Sequence, residues 1–123
     1  MIKKGIHMKR DMDLIRAILL VIEADEQEYV ASLQINGYTQ EQINYHAVLL
    51  GEAGFAKIIE IKTEESAIPM KVIIERLTWT GYEFLDAARD RSLWNQAKDK
   101  VGSATIQIWM SVLTALTLKQ LGL

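Results

Sequence analysis

Residues 39–61, TQEQINYHAVLLGEAGFAKIIEI, and residues 70–90, MKVIIERLTWTGYEFLDAARD, decide the fold. Thr39 followed by Gln42 is a capping box: the hydroxyl accepts an orphan backbone N–H and the amide reaches back to the cap. A helix over 40–53 follows, with Ile43, His46, Ala47 and Leu50 on one face at helical spacing. Gly54 stops it in the left-handed conformation that glycine adopts at little cost. Phe55 to Ile61 and Met70 to Leu77 are rich in isoleucine and valine and read as two strands. With the polar loop 62–69 between them they predict an antiparallel hairpin with a long tip. Thr80 and Glu83 make a second capping box, opening a helix over 81–91 that turns Phe84, Leu85 and Ala88 inward.

Working outward, Asp11 is an N-cap for a helix over 12–24, in which Met12, Ile15, Ile18, Leu19 and Ile22 recur at helical spacing. Leu14, Leu20 and Val21 widen its apolar face, so it is buried on more than one side. Residues 29–35 alternate as a short strand and predict a third member of the sheet, before the turn at Asn36-Gly37. Beyond the hairpin, Ser92 reads as a fresh N-cap for a segment carrying Leu93, Trp94, Ala97 and Val101. Gly102-Ser103 breaks it before a last helix over 104–121. The order helix, short strand, capped helix, hairpin, helix is that of a winged-helix-like α+β domain. It lacks the short helix that usually precedes the recognition helix, and C-terminal helices are added. The domain reading is a basic leader over 1–10, a winged-helix-like domain over 11–102, and a packing or oligomerisation helix over 103–123. Met8 offers an alternative start.

Composition fits one domain: 123 residues, half of them hydrophobic and 24% charged. The formal net charge of −2 brings no global attraction to nucleic acid or to acidic membranes. The chain has no cysteine, which excludes disulfides and thiolate metal sites and is compatible with the cytoplasm, the expected location. The apolar run 17–22 is too short to span a bilayer, and 106–118 is interrupted by Gln107, Ser111, Thr114 and Thr117, so no membrane association is expected.

The segments MKRDMDLIR (8–16), GYTQEQINYH (37–46), LLGEAGF (49–55) and LTWTGYEFLDAARD (77–90), with Leu93-Trp94-Asn95, together carry a resemblance. From Met8 to about Val101 the chain resembles a family of uncharacterised proteins common in phages and bacterial prophages, known as a domain of unknown function. The resemblance implies a fold and a phage or prophage setting, and brings no activity with it. Residues 103–123 depart from it.

Little in the sequence points to catalysis, and no cofactor or metal is expected. His7 and His46 are the only histidines, and neither has a second histidine three or four residues away to build a metal pair. His46 reads as a satisfied core residue. The acid pairs Asp11/Asp13 and Glu64/Glu65 fall at a helix start and a loop tip, where solvated charge belongs. Neither a nucleophile beside a base nor a glycine-rich phosphate loop appears. Trp94 and Trp109 read as core or interface, and Trp79 as a cap on the core at the strand-to-helix junction.

Two readings of function remain open. A recognition helix needs donors for phosphates and base edges. Helix 40–53 has no lysine or arginine; Gln40 and Asn44 alone could read a base. Residues 11–54 hold one base, Arg16, against eight acids, a net −7. Phosphate neutralisation supplies most of the affinity of DNA binders, so this surface works against DNA. The ridge Tyr45, Val48 and Leu49 suits a protein partner better. The first reading is therefore a non-enzymatic interaction module of phage or prophage origin. The alternative is a transcriptional regulator that contacts DNA through Lys57, Lys62 and Lys71 on the hairpin and through the basic leader. The last helix is apolar on most sides, which predicts a homodimer through Ile108, Trp109, Val112 and Leu116.

Overall fold

In the computed structural model, residues 8–27, 30–31, 33–62, 65, 68–69, 71–102 and 104–123 are described. Among them the fold is mixed α+β, with five helices and one two-stranded antiparallel hairpin. The order is α1 (Met12–Ala24), α2 (Gln40–Glu52), β1 (Ala56–Ile61), β2 (Lys71–Leu77), α3 (Trp79–Ala88), α4 (Arg91–Val101) and α5 (Ile106–Gln120). None of the described helices is long and apolar enough to cross a membrane.

Helix α1 is central. The Asp11 carboxylate caps it by accepting from the Asp13 and Leu14 N–H groups at 2.9 and 3.3 Å. Met12, Leu14, Ile15, Ile18, Leu19 and Ile22 are all buried, so its apolar face is wide enough to pack on α2, α3 and β2 together. Helix α2 starts with both halves of the expected box: Gln42 N–H donates to Thr39 Oγ1 at 3.1 Å and Thr39 N–H to Gln42 Oε1 at 2.9 Å. It is followed by Gly54 at a φ of +77°.

Three expected starts are shifted. Helix α3 is capped by Thr78, not Thr80: the Thr78 hydroxyl accepts from Gly81 N–H at 3.0 Å and donates to the Gly54 carbonyl. Because β2 runs directly into this cap, Trp79 becomes the first helical residue and is 80% exposed, rather than closing the core. Helix α4 is capped by Asp90, not Ser92, because the Asp90 carboxylate reaches Leu93 N–H at 2.9 Å and places its charge at the positive end of the helix. Helix α5 begins at Ile106 behind a Thr105 cap.

The third strand expected over 29–35 is also corrected. It contracts to a single bridge, in which Val30 and Ile74 exchange backbone hydrogen bonds of 2.8 and 2.9 Å. Tyr29 and Ser32 lie outside the described residues. Leu33 and Ile35 spend their side chains on the core instead of extending a ladder. The hairpin itself forms as expected, pairing Ala56 with Leu77, Lys57 with Arg76, Ile58 with Ile74, Ile59 with Ile73, Glu60 with Val72 and Ile61 with Lys71. An irregularity after Lys57 leaves Glu75 without an opposite residue.

A chain of aromatic rings joins the halves of the core. Phe55 stacks on Phe84 at 4.9 Å between centroids, Phe84 meets Trp94 edge-on at 6.2 Å, and Trp94 stacks on Trp109 at 4.3 Å. Such rings bury large areas and carry much of a core's energy. Helix α5 is thereby part of the core: Trp109 and Leu113 have no exposed surface.

Candidate interaction surfaces

A cleft of about 730 Å³ lies where the starts of α1 and α2 meet the end of α4. Several of its polar side chains, His46, Tyr38, Asp11 and Asp13, are engaged by the fold. The His46 ring is buried; its Nε2 accepts from Asp11 N–H at 2.8 Å and its Nδ1 donates to the Gln42 carbonyl at 2.8 Å. This fixes the neutral tautomer, and burial pushes its pKa below the ordinary value against the opposing pull of Gln42 and Asp11. The Tyr38 hydroxyl donates to Asp11 at 3.1 Å, and burial, with that bond, raises its pKa. Asp13 accepts from the Trp94 indole N–H at 2.7 Å and from Lys98 at 2.8 Å. Burial alone would raise the Asp13 pKa; the bonds to Lys98 and Trp94 outweigh it and lower it. With both ring nitrogens engaged, His46 is placed as a structural clamp between α1 and α2.

On α2, the sequence-derived outward set divides. Glu41 and Glu52 are exposed, and Tyr45, Val48 and Leu49 are half-buried. Leu49 lines a groove of about 450 Å³ between α1, α2 and the start of α5. Asn44 is not available to read a base: it is buried, donates to the Pro69 carbonyl at 3.3 Å and accepts from Gln40 at 2.9 Å. It faces the hairpin because the Pro69 carbonyl lies against this side of the helix. Gln40 is thereby engaged as well. The more outward face of α2 carries the exposed Glu41 and Glu52, with the half-buried Tyr45 and Val48 between them; Val48 also packs against the rim of the core.

The hairpin brings its cations together. Lys57, Ile59 and Ile61 of β1 and Lys71, Ile73 and Arg76 of β2 alternate onto its outer face. Lys62 follows and pairs with Glu60 at 3.5 Å. Arg76 and the three isoleucines were not singled out in the sequence; the alternation of Lys57, Ile59 and Ile61 along one strand was the signal that could have found them. Residues 8–10 and the start of β2 lie against opposite flanks of α2. Lys9 and Arg10 line the large cleft with Gln42 and His46, while Lys71 lines a small pocket with Gln40, Asn44 and Ala47. Lys3 and Lys4 lie outside the described residues.

The oligomer surface expected on α5 needs correcting. Trp109 faces inward onto Trp94, and Val112 and Leu116 are half-buried against the core. Of the four residues, Ile108 alone is well exposed, at 48%. The outward face otherwise carries Gln107, Ser111, Thr114, Ala115 and Leu118.

Residues 9–107 match the family described as Hypothetical protein (DUF2513). The chain belongs to this family. The DUF2513 match takes in α1 to α4 and the first residues of α5. A relative in Haemophilus influenzae, described as an uncharacterized protein, is 38% identical over 104 residues, covering 82% of this chain and 85% of that protein. No solved structure matches this DUF2513 chain.

Proposed function

We propose that the protein is a non-enzymatic interaction module of winged-helix type, cytoplasmic and of phage or prophage origin, that binds a protein partner through the outward face of α2. The observation that carries this reading is that face: Tyr45 and Val48 stand between Glu41 and Glu52, with no cation on the helix. A phosphate backbone laid along it would meet two carboxylates, whereas a protein surface can use the half-buried aromatic and aliphatic pair. The engagement of His46, Asp11 and Asp13 in the fold supports a non-catalytic role for the cleft at the starts of α1 and α2.

The second reading, a transcriptional regulator that grips DNA by the hairpin and the leader, is favoured by one observation: Lys57, Lys71 and Arg76 share the outer hairpin face. Titration with duplex DNA across salt concentrations separates the two. Weak binding with a shallow salt slope is expected, because the slope counts neutralised phosphates. Tight binding with a steep slope would replace the first reading by the second. On the first reading, a partner retained by the wild-type chain is lost by Tyr45→Asp while the melting temperature stays unchanged.

A homodimer belongs to the proposal on a smaller footing, through Ile108 and Leu118 with Val112 beside them, and without Trp109. Light scattering at micromolar concentration tests it, with Ile108→Glu expected to give a monomer. A monomeric wild-type chain removes this part of the proposal.

A further inference from the structure

We propose that the outer face of the hairpin, with the open edge of β1, is a second docking surface, for an extended acidic segment of a protein partner. It is independent of the α2 surface and rests on the register of the two strands. Three facing pairs form the surface: Lys57 opposite Arg76, Ile59 opposite Ile73, and Ile61 opposite Lys71. Ile59 and Ile61 are 47% and 40% exposed, and none of the six positions is acidic. On its other side β2 carries Val30, so the far edge of β1 pairs with no strand among the described residues. An open edge offers a row of backbone donors and acceptors to an incoming strand. Side chains of such a strand would alternate, and those on the outer face would sit beside Lys57, Ile59 and Ile61. The matching occupant has a carboxylate beside Lys57 and aliphatic side chains beside the two isoleucines.

The same face argues against two other occupants. A second copy of the hairpin would bring Lys57, Arg76 and Lys71 against their own kind, a like-charge pairing that costs free energy. A phosphate backbone would use the cations but leave Ile59, Ile61 and Ile73 without an apolar counterpart.

The test is a display library of random short peptides panned on the full chain, with Lys57→Glu/Arg76→Glu as the counter-selected variant. Both positions are exposed, so the variant should unfold at the same temperature as the wild type, and a melt checks this. The expected result is enrichment of sequences that alternate acidic and aliphatic residues, bind the variant about tenfold more weakly, and shift the amide signals of residues 57–61. As a second variant, Ile59→Ser should also weaken binding. Enriched peptides that are basic, that bind the double variant equally well, or that leave the β1 amides unmoved would overturn the proposal. So would duplex DNA binding this face with a steep salt slope while no acidic peptide is enriched, which would assign the surface to phosphate.

Discussion

Gly81 is the residue whose substitution is most constrained. A Cβ built there would stand 2.0 Å from the Phe55 carbonyl oxygen, in backbone that cannot swing aside. Gly81→Ala should therefore cost on the order of 3 kcal/mol, the upper range for overpacking, read as a fall in the denaturation midpoint. Thr39→Ala should cost about 1 kcal/mol, because the Gln42 N–H loses its acceptor; an unchanged midpoint would show that the box contributes nothing. His46 adds a pH dependence. Its pKa lies below its ordinary 6.5 in the folded chain, so folding favours the neutral ring. The stabilisation is complete above about pH 6.5 and is lost as pH falls through the depressed folded value. A proton on Nε2 would face the Asp11 N–H donor. Urea titrations should show stability falling on acidification through this window, and NMR titration of the ring should report the lowered pKa. An ordinary ring pKa would contradict the clamp.

Between elements, the contact with most at stake is the one α1 makes with α4 through Asp13. Its carboxylate serves the buried Trp94 N–H and the exposed Lys98 at once. The Lys98 pair is surface-exposed and contributes little. The indole cannot turn to water, so Asp13→Ala should cost about 1–3 kcal/mol for a stranded donor. Asp13→Asn keeps an acceptor for the indole and should cost less; equal losses in the two melts would mean that the charge, not the acceptor, matters. Asp13's lowered pKa makes its own contribution fail only in more acidic solution, below its ordinary value of 3.8, which separates it from His46. A similar division of labour ties α3 to α1. Arg16 donates to the Ala88 and Arg89 carbonyls at 2.7 and 2.8 Å at the end of α3, and Arg89 holds Glu23 through two bonds of 2.6 and 2.8 Å.

For the whole molecule, the aromatic chain from Phe55 to Trp109 makes the C-terminal helix a structural member, not an appendage. A chain ending at Gly102 would strip Trp109 from Trp94, remove the buried Leu113 and uncover the core behind them. Losing two fully buried large side chains forfeits several kcal/mol, comparable with the stability of a small domain. The truncated protein should therefore lose its cooperative melt and aggregate. A folded, soluble monomer ending at Gly102 would show that α5 is dispensable. At this scale the charge is also sorted: acids stand on the outward face of α2 and cations on the outer face of the hairpin. The two surfaces are thus of opposite charge character.

What the sequence determined by itself was local. The 3.6-residue period of α1 and α2, the Asp11 cap, the Thr39–Gln42 box and the Gly54 stop act within a turn or two of the chain, and each was readable because its physics is short-range. The hairpin was readable for the same reason. The sequence could not decide which of several competent caps would be used. Thr78 prevails over Thr80 because the end of β2 sets where the helix must start, and Asp90 over Ser92 through its charge and reach. Nor could it decide which apolar side chains would be spent internally. Trp109 and Ile108 are adjacent in sequence and both large and apolar in the main, yet one stacks on Trp94 and the other meets water. Asn44 looks outward by its polarity, but the fold brings the Pro69 carbonyl to it. The irregularity at Glu75, which puts Arg76 and Ile73 on the same outer face as Lys57 and Ile59, follows from the spacing of Val72, Ile74 and Leu77 against one core. Each of these outcomes depends on contacts between residues far apart in the chain, whose geometry exists only once the elements have packed.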